Sequence, residues 1–349
     1  MFLNEGRSED VQKLYERYPF PHGTTKGAAD MVYASTWLPH FRPEALNGRR
    51  VLEAGCGTGN KLVALAKMYP GARFVGVDLS GPSLAVAKEL AEKHGRTNVE
   101  LRQGNLLEIS EISEYDVIQS VGVIHHLEDP QRGLDNLARA LKPDGTMMIW
   151  LYHPFGEHDR LIRRELLLTL WGPDRSDLTQ GEQLMKALQM TLEAGHYGPR
   201  TKASDELEGD ADAFMHPIVN AYRFEEGFRM LKESGCKWVG VDFVNFRWSV
   251  KYVNLGGMTN PSAELAPPEP SAIASPQDQW MAAMRNAFDL KVSDVVPEGL
   301  TDRFQALPAR EKLRAIELAL KPRGFLMIAG KGQIDPSLGK RIRSNVIAL

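Results

Sequence analysis

The sequence predicts an α/β fold in which a parallel β-sheet carries helices on both faces. From Arg50 onward, short apolar runs alternate with stretches of helical periodicity, an alternation typical of strand–helix–strand units. The first apolar run passes into a glycine-rich turn, Val51-Leu-Glu-Ala-Gly-Cys-Gly-Thr-Gly-Asn60. Apolar residues make up 43% of the 349 residues, an ordinary share for a globular protein. The chain therefore suits one large domain or two smaller ones.

The glycine-rich turn predicts a ligand site between the first strand and the first helix of the sheet. Gly55, Gly57 and Gly59 follow the acid Glu53, and glycines permit positive φ and close approach of a ligand to the backbone. The helix start after them offers unpaired N–H groups that suit a carboxylate or phosphate. The spacing G-x-G-x-G differs from the G-x-G-x-x-G of dinucleotide-binding proteins, which argues against an NAD-type dehydrogenase.

Further strands are predicted along the chain. The second ends in Asp78, about 20 residues after the glycines, where a ribose-binding carboxylate is expected. The later ones are Val99–Gln103, Tyr115 onward, Thr146–Leu151 and Lys237–Val244. For the last strand, Gly324–Gly330 is preferred and Arg247–Leu255 is the alternative. Helix caps are predicted at Ser8, ahead of Glu9 and Asp10, and at Asp129-Pro130.

Composition excludes several classes of partner and site. Lys and Arg total 42 against 45 Asp and Glu, a net charge of −3, so no overall basic field for nucleic acid is present. Cys56 and Cys236 are the two cysteines, which fits a reducing compartment without a disulfide framework. No Cys/His cluster has zinc-ligand spacing, so no metal is predicted. Without a spanning segment or signal-peptide pattern, we expect a cytoplasmic protein with no membrane partner.

The stretches from Arg49 to Leu151 together resemble the class I S-adenosylmethionine (SAM)-dependent methyltransferases, of the type 11 and type 12 group. The resemblance rests on the glycine turn, the strand ending at Asp78, Tyr115–His126 and Leu141–Trp150. It implies a Rossmann-like seven-stranded sheet with helices on both faces and an antiparallel seventh strand. The implied cofactor is SAM, with S-adenosyl-L-homocysteine as its product. The stretch Tyr15-x-x-Tyr18-Pro-Phe-Pro-His22 resembles a leader of some members, whose helix covers the SAM pocket; the alternative is a plain packed helix.

The resemblance also implies which residues bind the cofactor. Glu53 would interact with the methionine ammonium and Asp78 with the ribose hydroxyls. Asn105 stands where the family usually has Asp, and its amide oxygen is able to accept from the adenine amino group. The full predicted set is Glu53, Gly55, Cys56, Gly57, Gly59, Asp78, Leu79, Asn105, Leu106 and Ser120.

Acceptor residues are predicted at the carboxyl ends of the fourth and fifth strands, where ligands bind in open α/β sheets. His125 and His153 are the candidate catalytic bases, because histidine titrates near neutrality. The alternative for His125, and for its neighbour His126, is a role in loop structure. Predicted substrate contacts are Tyr15, Tyr18, Tyr152, His216 and Tyr222. Arg160, Arg163 and Arg164 either bind an acidic acceptor or form a solvated helix face.

The predicted organisation is an N-terminal helical lid over residues 1–48, a SAM-binding core over 49–244 and a C-terminal region over 245–349. The core includes a substrate cap at about 152–222, in which His196 to Asp212 reads as a loop. The C-terminal region combines a helical insertion, with helices near Gln279–Phe288 and Ala309–Leu320, with the final strand and a tail. Pro- and Ala-rich Asn260–Ser275 reads as a loop.

The predicted function is methyl transfer from SAM to oxygen or nitrogen, less readily carbon, of a small molecule. This reaction mainly requires alignment of the acceptor with the methyl group and exclusion of water. One alternative is methylation of a peptide or protein side chain, with the insertion as a docking surface. Another is a non-catalytic SAM-binding regulatory module. The Asn/Asp-Pro-Pro-Tyr signature of amide and exocyclic-amine methylation is absent.

Overall fold

A computed structural model describes residues 6–21, 41, 43–192, 203–245, 250–255, 258, 289–338, 343 and 345–349. Its centre is one β-sheet whose strands are ordered β3-β2-β1-β4-β5-β8-β6-β7, with β9 paired to β6. The strands are β1 Arg50–Ala54, β2 Arg73–Asp78, β3 Val99–Gln103, β4 Tyr115–Val121, β5 Leu141–Tyr152, β6 Trp238–Asn245, β7 Val250–Tyr252, β8 Gly324–Gly330 and β9 Ile347–Ala348.

Strands β1 to β5 run parallel to one another, whereas β8 runs antiparallel to both β5 and β6. The preferred last strand, Gly324–Gly330, is therefore confirmed as the antiparallel strand of the predicted α/β sheet. The alternative region supplies only the short edge strand β7. Together with β9, that strand extends the seven expected strands to nine among the described residues.

Helices flank the sheet and form a separate cap. In chain order the α-helices are α1 Ser8–Arg17, α2 Asn60–Met68, α3 Gly81–Lys93, α4 Pro130–Ala140, α5 Pro154–Trp171, α6 Leu178–Ala187, α7 Ala203–Asp210, α8 Phe224–Glu233, α9 Val292–Val295, α10 Thr301–Gln305 and α11 Ala309–Leu320. In the described part of the chain, no helix combines the length and apolarity needed to span a bilayer.

Alternate residues of β1 face the two sides of the sheet. Val51 packs with Leu62 and Leu65 of α2, whereas Leu52 packs in the cluster that contains residues of α4, α8 and α11. Both faces of the strand are therefore buried, which explains why its sequence is a continuous apolar run.

Helix starts follow local hydrogen bonding. Asp129 caps α4 as predicted, since its carboxylate accepts from Arg132 N–H at 2.9 Å. The predicted cap at Ser8 is wrong: Ser8 is already the first helical residue, and the Asp10 carboxylate accepts from Arg7 N–H at 3.0 Å. Asp10 thus satisfies an N–H group at the helix start, close to its positive end.

Of the predicted loop at His196–Asp212, residues 196–202 lie outside the described residues and the part from Ala203 is corrected, whereas the short turn expected within Asp210–Pro217 is present. Residues from Ala203 to Asp210 form α7, which continues into a π-helical turn over Ala211–Met215. The turn buries Phe214 and Met215 against apolar side chains of α1, α5 and α6. This packing, which joins distant parts of the chain, outweighs the polar local sequence. The predicted helix at Ala309–Leu320 is confirmed, whereas Asn260–Ser275 and Gln279–Phe288 lie outside the described residues.

A buried polar network joins the end of β5 to the C-terminal region. Glu317 of α11 accepts from Phe224 N–H at 3.0 Å and from Arg223 Nε at 3.0 Å, and its Oε1 lies 2.9 Å from His153 Nε2. Burial opposes ionisation, but hydrogen bonds from His153, Arg223 and Phe224 outweigh it and lower the pKa of Glu317 to about 2. The carboxylate therefore holds three segments of the chain together.

We expect Glu317→Gln to lower the free energy of unfolding by about 1.5–3 kcal/mol at pH 7, because hydrogen bonds to a charged group are lost. The folded-state pKa lies below the ordinary value of 4.5. The stabilisation is therefore complete above that value and declines as the pH falls from it toward about 2. Urea denaturation at several pH values measures both effects. Glu311→Gln, at an exposed position of the same helix, is the control; equal losses in the two variants would contradict the assignment.

Candidate active site

The glycine turn after β1 has no room for side chains. Gly55, Gly57 and Gly59 have φ of +80°, +53° and +76°, and the N–H groups of Gly55 and Cys56 donate to Val77 O at 2.8 and 3.0 Å. A Cβ atom on Gly55 would lie 2.2 Å from a methyl carbon of Val123. The turn therefore requires glycine both for its dihedral angles and for its packing.

The N-terminal leader lies directly on this turn. Thr58 N–H donates to Phe20 O at 3.3 Å, and Asn60 Nδ2 donates to Pro21 O at 3.3 Å. The Thr58 hydroxyl donates to the same Pro21 carbonyl. A Cβ atom on Gly57 would lie 2.2 Å from Phe20 O. The absence of a side chain at Gly57 is thus what allows the leader to approach.

Asp78, at the end of β2, holds the turn from the other side. Its Oδ2 accepts from Gly57 N–H at 2.7 Å and its Oδ1 accepts from Ser80 N–H at 2.9 Å. Burial raises the pKa of Asp78, although these N–H groups favour the ionised form. Two carboxylate oxygens offer four lone pairs, more than the backbone N–H groups of Gly57, Ser80 and Leu79 use, so the carboxylate retains capacity for a hydroxyl group of a ligand.

Glu53, at the end of β1, is buried beside two polar side chains. Its Oε1 lies 2.8 Å from Lys61 Nζ, and Gln119 of β4 is its neighbour in the sheet register. Among the described residues, Glu53 Oε2 and both amide atoms of Gln119 are buried without a hydrogen-bond partner. Burial raises the pKa of Glu53 and the charge of Lys61 opposes that shift.

A cluster of aromatic side chains lies beyond the carboxyl ends of β4 and β5. We call it the histidine cluster, and its members are Tyr15, His125, His126, Tyr152 and His216. The ring centroids are 4.0 Å apart for His125 and Tyr152, 3.8 Å for the stacked His126 and His216, and 5.6 Å for Tyr15 and His216. The cluster thus joins α1, the loop after β4, the end of β5 and the π-helical turn.

The three histidines of the cluster are neutral at pH 7. Burial, reinforced by neighbouring positive charge, lowers the pKa of His125 and of His216 well below the ordinary value. Burial likewise lowers the pKa of His126 to about 4. Among the described residues, Nε2 of His216 has no hydrogen-bond partner, and the His125 ring has only a contact to the Trp150 backbone that falls short of a full hydrogen bond. Unpaired buried polar atoms are costly, which marks the cluster as a site for a polar ligand group or water.

The backbone of Ile218 sets the tautomers of two of these rings. Its carbonyl lies 2.7 Å from His126 Nδ1, so we assign the proton of neutral His126 to Nδ1. Its N–H donates to His216 Nδ1 at 3.1 Å, so His216 carries its proton on Nε2. His126 Nε2 is therefore a lone-pair acceptor and His216 Nε2 is a donor.

Comparisons with known proteins bear on this site. A family model described as a methyltransferase domain matches residues 46–186, which include the glycine turn, Asp78 and His125. Residues 46–186 thus form a methyltransferase domain of the class I SAM-dependent type. The cofactor predicted from the sequence, SAM, is the cofactor of this family.

Two curated proteins illustrate the similarity. An uncharacterized protein of Synechococcus sp. is 31% identical over 253 residues, which cover 67% of this chain and 60% of that protein. The ubiquinone biosynthesis O-methyltransferase of Paracidovorax citrulli is 33% identical over 111 residues, or 31% of this chain and 45% of that enzyme. The chain thus spans less than two thirds of the length of these relatives.

The fold is also that of a solved structure, PKMT2 from Rickettsia typhi. The two chains superpose with a TM-score of 0.55 at 16% sequence identity, and the match covers 93% of this chain and 56% of that one. At this identity the similarity concerns the fold.

The residues at the turn fit SAM. The unpaired Glu53 oxygen and Gln119 amide suit a polar ligand group, and the glycines leave the backbone accessible. Two predicted residues have additional partners: Asn105 Oδ1 accepts from Leu107 N–H at 3.0 Å, and the Ser120 hydroxyl donates to Ala54 O at 3.0 Å. Ser120 thus joins β4 to β1. Leu106 and Cys56 are buried, and Leu79 is half-buried.

Tyr15 and Tyr18 have different surroundings. Tyr15 OH donates to Asp212 Oδ1 at 2.7 Å within the histidine cluster, and burial raises its pKa. Tyr18 OH donates instead to Glu182 of α6, among the apolar side chains of the cap. The structure therefore brings Tyr15, but not Tyr18, to the candidate acceptor site. Tyr222 is half-buried and joins the cluster through its N–H, which donates to Tyr152 O at 2.8 Å.

His153 does not join the cluster. Its Nε2 lies against Glu317, and its Nδ1 accepts from Phe155 N–H at 3.2 Å at the start of α5. Its ring packs against Phe224 and Phe325. The prediction of His153 as a base is corrected for this reason: both ring nitrogens are engaged within the fold.

The three arginines support the cap, so neither predicted alternative describes them. Arg164 is fully buried and donates to His216 O and Pro217 O, both at 2.9 Å. Burial lowers its pKa to about 9. Arg160 donates to Ala213 O at 2.7 Å with its guanidinium 4.6 Å from the centre of the Tyr152 ring. Arg163 donates to Gln189 O at 3.3 Å. Arg164 thereby fixes the turn that carries His216.

We expect Gly57→Ala to destabilise the fold more than Gly95→Ala. Gly57 and Gly95 have similar φ, +53° and +59°, but a Cβ atom meets nothing within 4 Å at Gly95. The backbone strain of about 1 kcal/mol is shared by both variants, so the excess loss at Gly57 measures displacement of the leader. Thermal unfolding with proteolysis of the leader tests this. Equal losses, with equal protection of residues 6–21, would show that the leader does not depend on the turn.

Proposed function

We propose that the protein transfers the methyl group of SAM to an oxygen or nitrogen atom of a small-molecule acceptor. The observation that carries this proposal is the buried histidine cluster, in which His216 Nε2 has no partner among the described residues and the His125 ring has only an incomplete contact to the Trp150 backbone. It lies beyond the carboxyl end of β4, the strand whose Gln119 adjoins Glu53. Polar groups for an acceptor and polar groups for the cofactor thus lie at one edge of the sheet.

The enclosure of the cluster favours a small acceptor. His125 and His216 have no exposed surface and Tyr152 has 4%, while Tyr15 of the leader covers one side. A peptide would need an open groove to reach these groups. The name of one relative, a ubiquinone biosynthesis O-methyltransferase, agrees with transfer to oxygen.

The mechanism assigns proton transfer and orientation to this chain. When bound, SAM supplies a methyl group already activated on a sulfonium. His125 takes a proton from the acceptor O–H or N–H, which requires the neutral imidazole that burial maintains. His216 Nε2–H donates to a second polar atom of the acceptor, and the leader excludes water.

A labelling experiment tests the proposed reaction. The purified protein is incubated with SAM labelled in the methyl group and with a metabolite extract separated by size from macromolecules. We expect the label in acceptors of low molecular mass. Label found only in protein-sized material would instead support the peptide or protein alternative, and SAM binding without any transfer would support the regulatory module.

We expect His125→Gln to lower kcat on the order of 10²-fold, the usual contribution of a general base. The affinity for S-adenosyl-L-homocysteine, measured by calorimetry, should not change, because His125 contacts the acceptor. His158→Gln, at an exposed position of α5, should leave both quantities unchanged. Wild-type turnover in His125→Gln would return His125 to a role in loop structure.

A further inference from the structure

Lys61 is a largely buried cation that was not among the site residues predicted from the sequence. It is the second residue of α2, its side chain is only 10% exposed, and its Nζ lies 2.8 Å from Glu53 Oε1. Removing two charges from water is costly, and polar groups around the pair offset that cost. A ligand end that carries both signs of charge would add such groups.

Glu53 retains an acceptor for such a partner. Its Oε2 is buried and has no hydrogen bond among the described residues, and the same is true of the Gln119 amide. Glu53 ends β1 and Lys61 begins α2, so the pair spans the glycine turn. The site thus presents a carboxylate oxygen, an ammonium and an amide next to the turn on which the family binds SAM.

We propose that Lys61 recognises the carboxylate of the cofactor's amino-acid end, beside the ammonium contact that the family resemblance already assigns to Glu53. Glu53 Oε2 accepts from the ligand ammonium and Lys61 Nζ donates to the ligand carboxylate, each through charge-assisted hydrogen bonds. Both the protein pair and the ligand end have zero net charge, so binding buries no unpaired charge. Glu53 alone would leave the ligand carboxylate without a cation. This inference rests on the proposed function only for the identity of the cofactor.

The test compares two ligands that differ by the carboxylate. S-adenosyl-L-homocysteine carries it, whereas S-adenosyl-3-thiopropylamine lacks it and keeps the amine. In Lys61→Met we expect calorimetry to show a loss on the order of tenfold or more for the first ligand and no loss for the second. In Glu53→Gln we expect weaker binding of both. Lys67→Met, at an exposed position of the same helix, should change neither.

The ratio of the two affinities separates recognition from structural support. If Lys61 only neutralises Glu53, both ligands lose affinity equally in Lys61→Met and the proposal is overturned; unchanged affinity for both also overturns it. Lys61→Met leaves Glu53 buried without its cation, so the double variant Lys61→Met/Glu53→Gln provides a neutral pair. In this variant the preference for the carboxylate-bearing ligand should likewise disappear.

These measurements do not depend on methyl transfer. Failure of the wild-type protein to bind S-adenosyl-L-homocysteine would refute the cofactor itself. Wild-type binding with an unchanged ratio in the variants would refute only the role of Lys61.

Discussion

The close packing of three backbone segments at Gly57 is the constraint on which the site depends. Gly57 N–H donates to Asp78 of β2, and Phe20 O of the leader occupies the place where a side chain would begin. The turn, the second strand and the leader are thus fixed relative to one another at one residue. Because the same turn follows Glu53, this contact also sets the position of the buried Glu53–Lys61 pair.

The two ends of the candidate site differ in their electrostatics. At the turn, a buried carboxylate and ammonium compensate each other, which suits a ligand end that carries both signs. At the histidine cluster, burial and the nearby Arg160 keep the imidazoles neutral. A sulfonium would be repelled by protonated imidazoles, whereas neutral rings offer lone pairs and π faces to it. The low pKa values therefore keep the imidazoles in their neutral, lone-pair-bearing form at pH 7, which the proposed function requires.

Sequence reasoning predicted the features that depend on local patterns. The strands around the glycine turn, the Asp129 cap and the helix Ala309–Leu320 all follow from periodicity, capping residues and glycine spacing. The prediction for His153 was wrong because a position at the carboxyl edge of the sheet does not determine to which face of the sheet the side chain points. Successive side chains point to opposite faces, so Tyr152 joins the histidine cluster while His153 packs with Phe224 and Phe325. The alternation of side chains at the end of β5 could have shown from the sequence that Tyr152 and His153 point to opposite faces.

Other features depend on contacts between distant parts of the chain. Lys61 reads as a surface lysine in sequence, and only the fold shows that Glu53 draws it inward. Arg164 has the sequence pattern of a solvated helix face. In the fold it is buried, because its guanidinium donates to the carbonyls of His216 and Pro217. Likewise, nothing near Tyr15 indicates that its hydroxyl bonds to Asp212, almost 200 residues away.

The leader connects the two ends of the site through its backbone. Tyr15 lies in the histidine cluster, while the carbonyls of Phe20 and Pro21 accept hydrogen bonds at the glycine turn. Since these turn contacts use carbonyl oxygens, they depend on the path of the chain more than on side-chain identity, and Pro19 and Pro21 restrict that path by fixing φ. A displacement of the leader at the turn would therefore also move Tyr15. Tyr15 and Phe20 are five residues apart in sequence, so one short segment makes the leader's contacts at both ends of the candidate site.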